Sequence, residues 1–412
     1  MKNTIELLGK YADAKMFIKT VDGVTIGQVI TMLNEPVTEG GIVRIMPDAH
    51  YGKGSTVGTT IHYDKVITKV VPSIVGVDIG CGIMVSCLGK LKNTDAREWG
   101  KLDNVINTGV PSGFDVRSKP ISSSVFYAVE HMLKSINVKG AYEDQFVARI
   151  ANSVGTLGGG NHFIELSKDK EDNYYLLVHT GSRGLGVKVA KYHQDVADLY
   201  HDNDVKGLSE LISELKAQGR HKEIQTAITG FKRKNTKPQL PYLEGEDLEK
   251  YLIDMEITQQ YAVMNRNAIV DTILEGMGWT EIDRFDSIHN YIDIENNTIR
   301  KGATDARKGL RLVIPLNMKE GSIIGVGKGN KDWNESAPHG AGRVLSRSKA
   351  KEVLSLEDFK DTMQGIYTTS VVQSTLDEAP KAYKDAEEIK EIITDTVDID
   401  RIVKPVYNFK AK

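Results

Sequence analysis

Short apolar runs punctuated by glycine stand on both sides of a long segment with helical periodicity, and this arrangement constrains the fold most. Runs typical of β-strands occur at 42–46, 71–77 and 83–88, within 154–178, and at 312–316 and 322–326. Between 187 and 278, apolar residues recur at the three- and four-residue spacing of helices. We therefore predict a mixed α/β (α+β) fold with central β-sheets, surrounding helices and a helical insertion over residues 187–278.

The segments that join these runs are charged and contain glycine, and none resembles a long flexible linker. We therefore expect a single domain over residues 1–412, in which the helical insertion is embedded. A basic, proline-containing break at 232–238 interrupts the insertion. Further helical stretches are predicted near 356–366 and 379–394.

Composition excludes several classes of protein. No apolar stretch approaches the roughly 20 residues that cross a bilayer, so a soluble, cytoplasmic protein with no membrane partner is expected. The two cysteines, Cys81 and Cys87, are too few for a disulfide framework. The formal net charge is −3, so contact with a nucleic acid must come from local basic clusters.

A carboxylate and a thiol lie three residues apart in the glycine-rich segment Gly76-Val77-Asp78-Ile79-Gly80-Cys81-Gly82. Glycine lets the backbone turn tightly and approach a ligand closely. Asp78 and Cys81 suit metal binding, because a thiolate can bridge two cations and a nearby cation lowers the pKa of a thiol. A buried structural cysteine beside a turn aspartate is an equally open interpretation of this segment alone.

Three histidines change that balance, because His162, His179 and His289 each stand at the edge of an apolar run among small residues. A single histidine at a strand end is more often structural than a metal ligand. Three of them, with Asp78 and Cys81, form a set that a rigid sheet could gather from its loops around metal ions. His50 fits either interpretation.

A second centre is Ser336-Ala337-Pro338-His339-Gly340-Ala341-Gly342-Arg343. A histidine between proline and glycine can act as a nucleophile towards phosphorus, with Arg343 and backbone N–H groups stabilising the phosphate charge. The alternative is an anion-binding turn in which His339 only donates a hydrogen bond. Basic residues flank this centre, where a nucleic-acid backbone would have to pass: Arg300, Lys301, Arg343, Arg347, Lys349 and Lys351.

Six motifs resemble, in order, the signature motifs of the RtcB family of RNA ligases. They are Pro47-Asp48-Ala49-His50, 76–82, 158–165, 179–184, 300–304 and 339–343. They span nearly the whole chain and are far more specific than a lone glycine pattern. The resemblance implies an RtcB-like fold and a GTP-dependent ligase that joins an RNA 3'-phosphate or 2',3'-cyclic phosphate end to a 5'-hydroxyl end.

The resemblance also implies which residues act. Two Mn²⁺ ions would be bound, with Cys81 bridging, by Asp78, Cys81, His162, His179 and His289. The catalytic residue would be His339, which attacks the α-phosphate of GTP, expels pyrophosphate and passes GMP to the RNA end, giving RNA-3'-pp-5'-G. The implied GTP- or GMP-binding residues are Asn161, Glu165, Lys301, Asn317, Ser322, His339, Gly340, Ala341, Gly342, Arg343, Tyr383 and Lys410. Asn161 would contact phosphate, Glu165 and Lys410 would read guanine, and Tyr383 would pack against the nucleotide.

The chain departs from the family pattern around the nucleotide. It has Pro315-Leu316-Asn317-Met318-Lys319 where many relatives have Pro-Gly-Ser-Met-Gly, Ser336-Ala337-Pro338 in place of Ser-Cys-Ser, and Lys410-Ala411-Lys412 in place of Lys-Gly. These differences favour a divergent subgroup. The expected RNA partner is either tRNA halves or damaged RNA, and an archease-like activator is a further candidate partner.

Two other functions could use the same residues. A metal-dependent phosphohydrolase or nuclease would activate water at the Asp/Cys/His set and need no nucleotide. A nucleotide-binding RNA-repair protein could keep the fold without catalysis. His339 separates these hypotheses, because a hydrolase has no use for a guanylated histidine. Ligand preference alone favours Zn²⁺ for a thiolate with three imidazoles, so manganese depends on the resemblance.

Overall fold

Three β-sheets form the centre of the computed structural model, which describes residues 4–202, 204–234 and 238–411. The strands are β1 (Ile5–Leu7), β2 (Ala14–Met16), β3 (Gly41–His50), β4 (Val57–Tyr63), β5 (Gly82–Gly89), β6 (Phe163–Lys168), β7 (Tyr174–Thr180), β8 (Asp283–Ile288), β9 (Asn290–Asp293), β10 (Thr298–Lys301), β11 (Ala303–Asp305), β12 (Arg311–Asn317), β13 (Gly321–Gly327), β14 (Ser336–Pro338) and β15 (Val397–Phe409). The helices are α1 (Gly23–Leu33), α2 (Pro72–Val75), α3 (Ala96–Gly109), α4 (Ser123–Lys134), α5 (Asp144–Ser153), α6 (Arg183–Asp202), α7 (Asp204–Ala217), α8 (Ile224–Lys234), α9 (Gly245–Met277), α10 (Arg347–Val353), α11 (Leu356–Thr362) and α12 (Ala386–Ile393). The predicted mixed α/β class is confirmed.

The two large sheets are joined by a small one. Six strands pair in the order β1-β2-β3-β4-β10-β9, and seven pair in the order β12-β13-β15-β6-β7-β5-β8. Among the described strands of these sheets, only β2 and β3 pair in parallel. The third sheet pairs β11 with β14, and β11 contacts β4 of the first sheet and β8 of the second. This junction brings together the segments that carry Lys301 and His339.

The helix α9 packs against both large sheets. It has 33 residues, which gives a length of about 50 Å. Its first half contributes Tyr251 and Met255 to a core shared with the six-stranded sheet, and its second half contributes Ile269 and Ile273 to a core shared with the seven-stranded sheet. Gly278 ends the helix at φ +68°, in the left-handed conformation that glycine adopts without strain.

Residues 187–278 are largely helical, as the periodicity predicts, and they include most of α6 and all of α7, α8 and α9. The predicted basic break at 232–238 lies partly outside the described residues. The division into one domain with an embedded insertion stays a prediction. None of the described helices is both long and apolar enough to cross a membrane.

The strand predicted at 71–77 is wrong, because its centre forms the short helix α2. Pro72 occupies the first helical turn, where its fixed φ is already helical and its missing N–H leaves no bond unmade. Gly76, at φ +93°, then ends the helix. The periodicity also gave no indication of α3, whose N-terminus is capped by Asp95, the acceptor of hydrogen bonds from the N–H groups of Arg97 and Glu98.

Candidate active site

A cavity of about 370 Å³ lies at the junction of the sheets. The predicted site residues that line it are Asp78, Cys81, Asn161, Glu165, His179, His289, Lys301, Asn317, His339, Gly340, Ala341, Gly342, Arg343, Tyr383 and Lys410. Two predicted residues are outside the lining, namely His162 and Ser322. His162 nevertheless contacts Asp78 and Cys81.

Two triads of ligand-type side chains share the sulfur of Cys81. Asp78, Cys81 and His162 form one triad, and Cys81, His179 and His289 form the other, with the ligand atoms of each triad within 4.8 Å of one another. The sulfur is 3.3 Å from Nε2 of His179 and 3.6 Å from Nε2 of His162. The structure thus brings all five predicted ligands into one cluster.

The backbone determines which nitrogen of two of these rings faces the cluster. Nδ1–H of His162 donates to the carbonyl oxygen of Leu157 (2.9 Å), and Nδ1–H of His179 donates to the carbonyl oxygen of Asn161 (3.2 Å). Because a carbonyl oxygen only accepts, each Nδ1 carries a proton, and each Nε2 is the nitrogen that faces the cluster. Nε2 of His162 lies 2.9 Å from Oδ2 of Asp78. A hydrogen bond on the second nitrogen is usual for histidines that bind metals.

The charges of the cluster favour a cation. Burial lowers the pKa of His179 and of His289 well below the ordinary value, so both rings are neutral. Burial raises the pKa of Cys81, and the neighbouring Asp78 raises it further. Burial would also raise the pKa of Asp78, but the interaction with His162 outweighs it and holds that pKa at about 2. The nitrogen, sulfur and carboxylate donors therefore fit divalent transition-metal ions, which would also favour the thiolate.

Two fully buried residues in the middle of α9 hold the loops that carry these ligands. Oδ1 of Asn265 accepts a hydrogen bond from the N–H of Gly155 (2.8 Å), and its amide group donates to the carbonyl oxygen of Gly181 (3.2 Å). Arg266 donates to the carbonyl oxygen of Gly80 (2.7 Å). These contacts with glycines attach to one helix the segments that carry Cys81, His162 and His179.

His339 follows β14 and lies beside the second triad, with its ring centroid 4.8 Å from that of His289. Its Nδ1–H donates to Oδ2 of the buried Asp48 (2.7 Å), and its backbone N–H donates to the same oxygen (3.2 Å). Because the carboxylate holds the Nδ1 proton, Nε2 keeps a free lone pair. This pairing is the one that orients a reactive imidazole in many active sites.

Glycine is required in the turn after His339. Gly342 has φ +76°, and a Cβ added to it would lie 2.3 Å from the carbonyl oxygen of Asp48. The turn therefore packs directly on the backbone of β3, which carries Asp48. This close approach fixes the distance between the histidine and its carboxylate.

The basic and aromatic residues expected around GTP converge on one buried carboxylate, Glu378, which is 2% exposed. It accepts hydrogen bonds from Nζ of Lys410 (2.5 Å), the hydroxyl group of Tyr383 (2.8 Å), Arg347 (2.6 Å) and Arg343 (3.3 Å). Burial would raise the pKa of Glu378, but Lys410 and Arg347 outweigh it and lower that pKa to about 2.

Two other predicted nucleotide residues are buried and titrate near neutrality. Glu165 accepts hydrogen bonds from the hydroxyl group of Ser167 (2.7 Å) and the amide group of Asn408 (3.0 Å), and burial raises its pKa to about 7. Burial lowers the pKa of Lys301 to about 7. The ammonium group of this lysine donates to the backbone carbonyl oxygens of Lys53, Ser55 and Ser73.

Three predicted residues have less direct positions. Oδ1 of Asn317 accepts from the N–H groups of Lys319 and Glu320 (both 2.9 Å), so this side chain caps the turn between β12 and β13 while lining the cavity. The buried hydroxyl group of Ser322 has no hydrogen-bond partner among the described residues. Asn161 is exposed.

The sequence did not identify Asp48 and Glu378 as site residues. Asp48 lies 291 positions before His339, so no spacing rule pairs them. Glu378 belongs to Asp377-Glu378-Ala379-Pro380, which resembles a solvated turn, and its only signal is its short separation from Tyr383. His50 lines the cavity, and burial lowers its pKa to about 4.

Comparison with known proteins places this geometry in context. A family model described as tRNA-splicing ligase RtcB matches residues 28–411. The chain is 29% identical to RNA-splicing ligase RtcB of Escherichia coli K12 over 401 residues, which cover 90% of both chains. It is 30% identical to RNA-splicing ligase RtcB1 of another E. coli strain over 402 residues, again 90% of both chains. Identity to tRNA-splicing ligase RtcB of Methanococcus maripaludis is 26% over 426 residues, which cover 85% of this chain and 84% of the relative.

Proposed function

The chain belongs to the RtcB family, and from this premise we propose that it is an RNA ligase that uses GTP to join a 3'-phosphate or 2',3'-cyclic phosphate end to a 5'-hydroxyl end. The observation that carries the proposal is the Asp48–His339 pair beside the second triad. A phosphohydrolase that activates water needs only the metal ligands, whereas an imidazole with Nε2 kept free by a buried carboxylate suits a nucleophile.

In the first step, the Nε2 lone pair of His339 attacks the α-phosphorus of GTP. A P–N bond forms, the bond to the β-phosphate oxygen breaks, and pyrophosphate leaves. The proton stays on Nδ1, because Asp48 accepts its hydrogen bond, and the carboxylate stabilises the positive charge that develops on the ring. Arg343 lines the same cavity and can stabilise charge on the phosphate.

In the second step, an oxygen of the RNA 3'-phosphate attacks the phosphorus of the histidine-bound GMP, and the P–N bond breaks to give RNA-3'-pp-5'-G. A terminal phosphate monoester lacks a good leaving group, and GMP supplies one. The 5'-hydroxyl oxygen then attacks the RNA 3'-phosphorus, loses its proton, and releases GMP as the 3',5'-phosphodiester forms. A 2',3'-cyclic phosphate end is first opened by water to the 3'-phosphate.

Two Mn²⁺ ions are the proposed cofactors, and the residues that would hold them are those of the two triads: Asp78, Cys81, His162, His179 and His289. When bound, they neutralise phosphate charge and orient the reacting groups. The neutral rings of His179 and His289 need to lose no proton before they bind a cation. The carbonyl oxygens that hold the Nδ1 protons of His162 and His179 keep each Nε2 directed to the cluster.

The guanine base is proposed to contact Glu165 and Lys410. Guanine offers N–H donors that a carboxylate accepts and a carbonyl oxygen to which an ammonium group donates. Tyr383 would pack against the nucleotide, and Asn161 would contact a phosphate. Because Lys410 and Tyr383 both donate to Glu378, binding of GTP would exchange at least one of these hydrogen bonds.

The proposed partner is RNA with the ends named above, either tRNA halves or damaged RNA, with an archease-like protein as a candidate activator. Ligation rates on a cleaved anticodon loop and on other broken stem-loops would separate the two sources. A strong preference for the anticodon loop would contradict a role specialised for repair.

The covalent step gives the first test. We expect the protein incubated with Mn²⁺ and GTP labelled at the α-phosphate to acquire an acid-labile label, because a phosphoramidate hydrolyses in acid. His339→Ala should remove the label, whereas His131→Ala, an exposed histidine on α4, should keep it. Absence of any label, or a label that survives His339→Ala, would contradict the proposal. RNA-end hydrolysis without GTP would favour the hydrolase instead.

A further inference from the structure

Phe114 has the most exposed side chain of the large apolar residues in the described part of the chain, at 98%. It lies in the loop between α3 and α4. A single exposed apolar residue is common and by itself assigns nothing. The attachment of its loop to a segment of the candidate active site is what distinguishes Phe114.

The loop that carries Phe114 is bound to the glycine run that leads to the ligand His162. The N–H of Gly113 donates to the carbonyl oxygen of Gly158 (2.8 Å). A Cβ built on Gly159 would lie 3.7 Å from Cα of Gly113, so the two backbones are in contact. Phe114 therefore directly follows a residue, Gly113, whose backbone contacts the segment that leads to His162.

Three further hydrogen bonds strengthen this attachment. Arg183 donates through Nη2 to the carbonyl oxygen of Gly113 (2.9 Å) and through Nε to the hydroxyl group of Thr156 (2.9 Å). The N–H of Leu157 donates to the carbonyl oxygen of Pro111 (2.9 Å). These bonds thus fix the backbone before Phe114 to residues 156–158, while the ring itself remains exposed to solvent.

A positive charge lies beside the same glycine run. A Cβ built on Gly160 would be 4.0 Å from Nη2 of Arg347. This arginine pairs with Asp377 and Glu378, yet 44% of its side chain is exposed. Gly160 and the following Asn161 are also exposed. The loop that carries the exposed Phe114 and the half-exposed side chain of Arg347 therefore both adjoin the segment that leads to His162, of which Gly160 and Asn161 are exposed.

We propose that Phe114 is a stacking platform for an unpaired base of the RNA strand, within the first few nucleotides of the end that is joined. The proposal rests on the ligase function proposed above. Proteins that bind single-stranded nucleic acids combine aromatic rings, which stack on any base, with basic groups that neutralise the backbone. Arg347 lines the cavity, and Phe114 belongs to the loop that is attached to the segment before the cavity-lining Asn161. The ring contributes through base stacking, not through contact with the reacting phosphates.

The test compares Phe114→Ala, Phe114→Leu and Phe114→Trp with the control Tyr127→Ala, which removes a ring that is 64% exposed on α4. With RNA whose ends are unpaired, we expect Phe114→Ala and Phe114→Leu to raise KM about tenfold, the effect of losing one stacking interaction. Phe114→Trp and Tyr127→Ala should leave KM unchanged. With ends held in a nicked duplex, all variants should match the original protein.

Two measurements separate this proposal from the ligase function. Guanylylation of His339 from GTP alone should be equal in all variants. The tryptophan of Phe114→Trp adds a fluorescence signal at this position. A 3'-phosphorylated single-stranded oligonucleotide should quench that signal when it binds, even if no ligation is found. Unchanged RNA binding by Phe114→Ala, full activity of Phe114→Leu, or quenching only by a protein partner would overturn the stacking role.

Discussion

The Asp/Cys/His cluster around Cys81 and the residues that surround Glu378 adjoin one cavity but differ in how their charges are balanced. Around Cys81 the structure has the neutral imidazoles of His179 and His289, a thiol with a raised pKa, and a carboxylate whose partner is His162. Around Glu378 it has cations that already pair with a buried carboxylate. In the proposed function, a cation would add to the first region without displacing any cation, whereas a nucleotide would have to exchange existing contacts in the second.

The largest loss of activity is expected when Cys81, whose sulfur belongs to both triads, is replaced. Cys81→Ala should reduce guanylylation and ligation by far more than the roughly 10- to 100-fold that loss of an outer-shell partner of a metal ligand causes. Metal content, measured by mass spectrometry, should fall with activity while circular dichroism stays unchanged. Cys87→Ala is the matched control, because this half-buried cysteine lies on β5 outside both triads. Full metal content in Cys81→Ala would break the comparison.

An intermediate effect is expected in the pre-paired region. Glu378→Gln keeps the shape of the side chain but removes the charge that orients Lys410 and Arg343, so KM for GTP should rise about tenfold, in line with loss of a charge-assisted hydrogen bond. Metal content should not change. Glu387→Gln, on the exposed surface of α12, provides the control. A loss of metal in Glu378→Gln would show that the two regions are not independent.

The smallest effect is expected for the pH dependence of GTP binding. The pKa of Glu165 is raised to about 7, so below that pH the carboxyl group must lose a proton before it accepts from guanine. GTP should therefore bind about threefold more weakly at pH 6.5 than at pH 7.5, as follows from the fraction ionised. Lys301, whose pKa is about 7, loses its positive charge as the pH rises, so its contribution to GTP binding would change in the opposite direction. Equilibrium binding with Glu165→Gln isolates the carboxylate, and an unchanged pH profile in that variant would exclude Glu165 as the cause.

The same contrast explains what the sequence could predict. Asp78, Cys81 and the three histidines each have a structural interpretation when taken alone, but five such residues in glycine-rich segments made metal chemistry a prediction for the set. Asp48 and Glu378 are ordinary acids until the fold places them against His339 and Lys410. Their function depends on partners far away in the chain, which residue type and spacing do not reveal.

The fold shows a similar limit. The periodicity of the long helical segment predicts α9, because its apolar residues face packed cores along its whole length. The apolar run at 71–77 has the composition of a buried strand, and only the positions of Pro72 and Gly76 determine the short helix α2. Polarity at Asn265 and Arg266 gave no sign of their role, since polar residues in a helix usually face solvent.

The position of Asn265 and Arg266 between two cores limits how this protein can change length. Insertion of one residue into α9 would rotate everything beyond it by about 100°. The apolar residues of one half would leave their core, or the two polar side chains would turn away from the glycine backbones they hold. We therefore expect insertions and deletions to be excluded from the middle of α9, which holds the loops of the Asp/Cys/His cluster.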